Sequence, residues 1–237
     1  MNIDTPFYEV QNSTKISTMK MRLDNIKENL NNVLCVTRFN DETFREYQNF
    51  TKEERVSSIN SPQRVYNVYN TPLPIVESNE FTNKYLFVIE MLNTNNSIQG
   101  ISIIRNRPYY KKFKVYSEQN YNRHSYKIIT RISRTDLLYL DSFLVENLEK
   151  LVFTQKNHLK RGQGIQMIQT KYYKKLQNIN ALWEEIEPVN IEKTLLQSLW
   201  SLIVKHKNTL IDIIDVNDTN NTNDTNNTNN TADNNQR

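Results

Sequence analysis

The chain has 237 residues, 37% of them hydrophobic and 24% charged, with a formal net charge of +4. That is enough apolar material for a packed core and excludes a fibrous or wholly disordered chain. Cys35 is the single cysteine, which rules out an intramolecular disulfide and a zinc site built of thiolates.

From the N-terminus, Asp4 and Glu9 stand where a signal peptide would be basic and then apolar, and no later run approaches the roughly eighteen apolar residues of a spanning helix. The expected location is therefore intracellular, neither secreted nor in a membrane. Residues 14–60 read as helical, with Ile16, Met19, Leu23, Ile26, Leu30, Val33 and Leu34 at three- and four-residue spacing. A second helix is expected from Asp41, whose side chain can cap the amides that follow. Pro62, Pro72 and Pro74 break this pattern, and TPLPIV reads as an extended linker. Residues 1–75 are thus expected to form a helical N-terminal segment and linker.

The middle of the chain changes character. VYNVY (65–69), KYLFVIEML (84–92), GISIIRN (100–106), FKVY (113–116) and SYKIITRI (125–132) are rich in β-branched and aromatic residues, and NTNNS supplies a hairpin connection. With only 3 glycines in the chain, Gly100 marks a bulge or a close backbone approach, while residues 120–122 form a polar turn. At Ser133 the period becomes helical: Ser133 and Asp136 make a capping start, and Leu137, Leu140, Leu144, Leu148 and Leu151 make one apolar face ending near Phe153. Two further helical patterns, 172–186 and 190–210, are separated by Pro188. Leu195, Leu196, Leu199, Trp200, Leu202 and Ile203 are too apolar for an exposed helix and are expected in the core. Residues 213–237 carry an Asn/Thr triplet repeat that cannot bury enough surface to order itself, so a disordered tail is expected. Its N-x-T sequons matter only in a secreted chain. The fold class is α+β: a basic core domain over 76–175 built on a small curved sheet or open barrel, bracketed by N-terminal helices and by C-terminal helices over 176–212.

Charge is segregated along the chain. Residues 105–134 hold nine Lys or Arg against Glu118 alone, a net of +8, and residues 156–175 hold six and no carboxylate, a net of +6. A solubilising surface would intersperse the signs. The first window also carries Tyr109, Tyr110, Phe113, Tyr116, Tyr121 and Tyr126, and cations that neutralise phosphates beside aromatics that stack on bases are the chemistry of single-strand binding. The second contains HLKRGQGI, where a glycine pair beside Lys160 and Arg161 can bring backbone amides close to a phosphate. Its spacing matches neither a P-loop nor a dinucleotide fingerprint. The candidate contacts are His158, Lys160, Arg161, Gly162 and Gly164, extended by Arg105, Arg107, Lys111, Lys112, Tyr121, Arg123 and Lys127.

Catalysis has weaker support. His124, His158 and His206 form no local metal motif, and the basic windows lack the clustered carboxylates of a metal-dependent nuclease. No catalytic residue, metal or cofactor is expected.

GISIIRN, KVYSEQNYNRHSYK with RISRTDL, and HLKRGQGI together resemble a family of uncharacterised proteins from mimivirus-like giant DNA viruses of the nucleocytoplasmic group. The resemblance covers about 84–168. It implies an origin in an AT-rich viral genome, with residence in host cytoplasm, viral factory or virion, and brings no activity. The layout of sheet and basic region resembles PUA-like modules, including EVE and YTH modules, which implies binding of RNA or modified bases. The tryptophan cage of YTH readers has no counterpart, since Trp183 and Trp200 lie outside the sheet segments. The expected function is non-enzymatic binding of nucleic acid, RNA or single strands. The rivals are an assembly protein meeting an acidic partner, with the last helix as its contact, and a nuclease or base-modifying enzyme.

Overall fold

A computed structural model describes residues 18, 21, 23–59, 67–75, 81–154, 158–179 and 184–225. Six strands form one sheet: β1 (Leu30–Phe39), β2 (Val68–Thr71), β3 (Tyr85–Leu92), β4 (Ser97–Pro108), β5 (His124–Ser133) and β6 (Gln166–Met167), in the order β2-β5-β4-β3-β1-β6. Only the β1–β3 pair is parallel. The helices are α1 (Asp41–Ile59), α2 (Arg134–Phe153), α3 (Lys174–Ile179) and α4 (Pro188–Thr225). The fold is α+β, a curled half-barrel with helices at both ends of the chain. The curl brings the end of β2 against the residues that precede β6: a Cβ on Gly164 would lie 3.2 Å from Thr71 Cβ.

Strand alternation divides the core in two. Leu34, Val36, Phe87, Ile89, Met91, Ile101 and Ile103 face outward and pack with Leu137, Leu144, Leu148 and Leu151 of α2 and Ile191, Leu195, Leu199 and Ile203 of α4. Cys35, Phe39, Leu86, Val88, Ile104, Tyr126 and Ile128 face the concave side, where Tyr47 of α1, Tyr69 of β2, Phe113, Val115 and Tyr116 join them. The last helix is therefore core, as its composition requires. Trp200 is only partly buried there.

The hairpin, the Ser133 cap and the α2 face form as the sequence predicts; Ser133 Oγ accepts from the Asp136 amide at 3.2 Å. α2 is interrupted at Asp141, whose Oδ1 accepts from the Leu144 amide at 2.9 Å and starts the second part. Gly100 serves both expected purposes. The β3–β4 register shifts beside it, and a Cβ there would sit 2.7 Å from both Glu90 Oε2 and Arg131 Nη2.

Three readings are corrected. Helical spacing holds over residues 23–28, but Leu30–Phe39 is a strand: Val33, Val36 and Thr37 are β-branched, and β3 offers a ladder that outweighs the helical pattern. The sheet thus takes β1 and β2 from the N-terminal side of the expected boundary at residue 76. The cap of α1 is Asn40, not Asp41: Thr43 N donates to Asn40 Oδ1 at 2.8 Å and Asn40 N to Thr43 Oγ1 at 3.0 Å. FKVY is not a strand. Asn122 replaces the ladder, its Oδ1 accepting from the Val115 and Tyr116 amides and its Nδ2 donating to Tyr116 O, so the segment turns while burying Phe113, Val115 and Tyr116.

The end of the expected linker is tied down, with Ile75 buried and its amide donating to Tyr126 Oη at 3.0 Å. Most of the Asn/Thr repeat, residues 226–237, lies outside the described residues, and among the described side chains of α4 the last one packed in the core is Ile203. Among the described residues, no helix is long and apolar enough to cross a membrane.

Candidate nucleic-acid interface

On the concave face a carboxylate is held without water. Glu90 is fully buried in β3, and Arg131 of β5 reaches across β4 to it, Nε to Oε1 at 2.7 Å and Nη2 to Oε2 at 2.5 Å. Tyr69 donates its one hydroxyl proton to Glu90 Oε1 at 2.5 Å, so Ser102 is the donor in its 2.7 Å contact with the Tyr69 oxygen. Burial alone would lower the Arg131 pKa, but the hydrogen bonds and charge of Glu90 more than offset it and the guanidinium is held above its ordinary value. Burial raises the Tyr69 phenol, and the Glu90 charge raises it further. This network spends Arg131 on the interior.

Arg134, in the same basic window, is likewise used internally, pairing with Glu149 at 2.5 Å. Lys175 from the second window is buried and donates to Leu151 O and Thr154 O at the C-terminal end of α2, where a cation is favoured. Burial lowers its pKa. Three of the fifteen cations counted in the two windows therefore stabilise the fold.

The remaining candidates fall into two groups. Arg105, Arg107, Lys112 and Arg123 are exposed and Lys127 is half-buried; among the described residues no ion pair holds them. Arg105 follows Ile104 and Lys127 precedes Ile128, its cross-strand partner, and both isoleucines point inward. Alternation turns Arg105 and Lys127 away from the face that those isoleucines line. Lys111 lies with Nζ 5.1 Å from the Phe113 ring centroid on the connection between β4 and β5.

The second group surrounds a polar cavity of about 180 Å³ in the seam of the half-barrel. Gly162 and Gly164, at φ of +125° and +66°, line it with Tyr121, which brings the two segments together there through their uncharged residues; the one cation in the lining is Arg38, from outside both windows. Both glycines hold backbone angles that other residues adopt only with strain. Tyr121 is set edge-on against Tyr116 at 6.0 Å. Arg38, Asn70 and Asn93, which the sequence did not single out, share the lining. Arg38 Nε donates to Leu159 O, while Nη1 is buried without a partner among the described residues. Burial pushes this guanidinium down to about 10, the mark of a charge removed from water with no carboxylate beside it. Asn93 Nδ2 donates to Lys160 O at 3.0 Å, and its Oδ1 is also unpartnered.

Of the other loop residues, His158 makes a local hydrogen bond and Lys160 lies near an aromatic ring. His158 Nδ1 accepts from the Lys160 amide at 3.3 Å, and Lys160 Nζ lies 6.0 Å from the Phe153 ring centroid. Arg161 is exposed. Among the described residues, no group of three or more His, Cys, Asp or Glu is placed to hold a metal ion.

A second cavity, of about 580 Å³, opens between α1, β5 and α4 and is lined by Lys52, Asn67, Thr130, Arg131, His206 and Lys207 among others. Five buried side-chain polar atoms among the described residues lack a partner: Arg38 Nη1, Asn93 Oδ1, Asn67 Oδ1, Thr130 Oγ1 and His206 Nδ1. The first two belong to residues lining the seam and the other three to residues lining this larger cleft. Unpaired buried polar groups are rare and each calls for a partner, so their confinement to two cavities singles these out from the rest of the interior. No family model, curated protein or solved structure matches the chain.

Proposed function

We propose that this chain is a non-enzymatic nucleic-acid-binding module for RNA or single strands, gripping phosphate or base edges at the seam and tracking the backbone along its exposed cations. The observation that carries this reading is the meeting of Tyr121 with Gly162 and Gly164 at one polar cavity beside the part-buried Arg38, whose buried Nη1 has no partner and which pairs with no carboxylate among the described residues. An arginine in that state gains most from an anion, and phosphate is the anion that the aromatic-bearing neighbourhood suits. The acid-free Arg105, Arg107, Lys112, Arg123 and Lys127 supply the long-range attraction. Giant-virus origin and a PUA-like layout belong to this reading and rest on the sequence resemblance. The assembly rival is weakened, because the apolar side chains of the last helix that it would use are buried against α2 and the sheet.

The test is the salt dependence of affinity for a labelled single-stranded oligonucleotide. Affinity should fall steeply between 50 and 200 mM salt, a range set by counterion release. Lys160→Ala with Arg161→Ala should weaken all sequences alike and lower the log–log slope by about 2. Tight binding indifferent to salt, or a partner retained after nuclease treatment, would favour the rival.

A further inference from the structure

The larger cleft is chemically distinct from the seam. Arg131 enters it already fixed: Glu90 takes Nε and Nη2, Gln99 O takes Nη2 again at 3.0 Å, and Nη1 has no partner among the described residues. A guanidinium anchored on a buried carboxylate is pre-organised, so a ligand meeting Nη1 orders little side-chain freedom. Lys207 of α4 stands nearby with no ion pair among the described residues, and burial lowers its pKa. Lys52 contributes a third cation from α1. The one carboxylate in the lining, Asp136, is already engaged by Ser133 Oγ at 2.7 Å and by His206 Nε2 at 3.6 Å. The site therefore offers cations converging from three elements and little to repel a dianion.

Its remaining features call for more than a bare anion. Thr130 is 7% exposed with Oγ1 unpartnered, and Asn67 Oδ1 and His206 Nδ1 are unpartnered too. Ile128 and Ile129 add apolar surface. A volume of about 580 Å³ falls within the range of small-molecule sites, roughly 300–1,000 Å³, and far exceeds what one phosphate fills.

We propose that this cleft binds a small phosphate monoester, with Arg131 Nη1 and the Lys207 ammonium taking the phosphate while Thr130 and Asn67 meet hydroxyl or amine groups of the organic part. The site does not rest on the nucleic-acid reading.

Isothermal titration calorimetry of the full chain with adenosine 5′-monophosphate, ribose 5-phosphate and adenosine tests it. At least one of the two phosphate esters should bind, the preferred one identifying the organic part, and adenosine should bind at least tenfold more weakly. Lys207→Gln should weaken that ester tenfold or more, and Thr130→Val several-fold, with thermal midpoints unchanged. Arg38→Gln, in the seam, should leave ester binding intact. The proposal is overturned if neither ester binds, if adenosine binds equally well, if Lys207→Gln binds like the parent, or if Arg38→Gln rather than Lys207→Gln removes binding.

Discussion

On its convex side the sheet meets α2 and α4 through Ile, Leu, Val, Met and Phe, whereas on its concave side the same strands turn Tyr69, Glu90, Ser102 and Arg131 toward one another. The convex side gains stability from area and shape alone, and each side chain there contributes about 1.5–3 kcal/mol on burial. The concave side must satisfy the polar groups it buries, and the five unsatisfied side-chain atoms among the described residues belong to residues lining the seam or the cleft between α1, β5 and α4. One face of the sheet is held by apolar packing alone, and the other combines it with buried polar pairs.

The sharpest way to break this contrast is to unpair Glu90. Arg131→Met should destabilise by about 3–5 kcal/mol, because it strands a buried carboxylate, and adding Glu90→Leu should recover most of the loss. Urea denaturation of the two single variants and the double reads this directly, and a double variant no better than either single would show that the ion pair is not the unit. Arg134→Ala, which removes a half-exposed pair, should cost no more than about 1 kcal/mol. On the convex face Leu148→Ala should cost about 2–5 kcal/mol through the cavity it leaves, with no effect on ligand binding at either site.

A smaller effect tests how closely the network is fitted. Gly100→Ala places a methyl group 2.7 Å from both Glu90 Oε2 and Arg131 Nη2, and a loss of about 1–3 kcal/mol in the same denaturation assay is expected. The smallest concerns Cys35, which lies on the concave face. Burial pushes its thiol from 9.0 to about 12, so it should resist alkylation at pH 8.5 in the folded chain and react freely in urea. The unfolded thiol ionises first, so this group's share of stability is intact below pH 9 and is lost as pH rises from 9 toward 12. Rapid alkylation of the folded protein would place Cys35 at the surface.

The same contrast explains what could be read from the sequence. Leu137, Leu144, Leu148 and Leu151 recur at helical spacing because a helix stripe must meet the convex face, and Ile101 and Ile103 alternate because a strand must. Concave features leave no periodic trace. Arg38 and Tyr121 lie 83 positions apart in sequence, and nothing local announces that they share a cavity. Lys207 and Thr130 lie 77 positions apart, and nothing local in the sequence points to the larger cleft. Two signals were available: Glu90 interrupts the apolar run KYLFVIEML and Arg131 interrupts SYKIITRI, and a charge inside a strand of that kind implies a buried partner. Counting Arg131, Arg134 and Lys175 as surface charge overstated the basic face for the same reason. FKVY was misread because propensity reports the residues alone, while the side chain of Asn122 decided their backbone pairing.

On the reading proposed above, nucleic acid would meet the molecule at the seam and along its exposed cations. Hydrogen–deuterium exchange of the full chain with and without a single-stranded RNA oligonucleotide at 50 mM salt tests this most directly. Protection should appear at residues 158–164, around Tyr121, and along 105–127, while the outer faces of α2 and α4 exchange as before. Protection confined to α2 and α4, or exchange unchanged everywhere at saturating oligonucleotide, would contradict it.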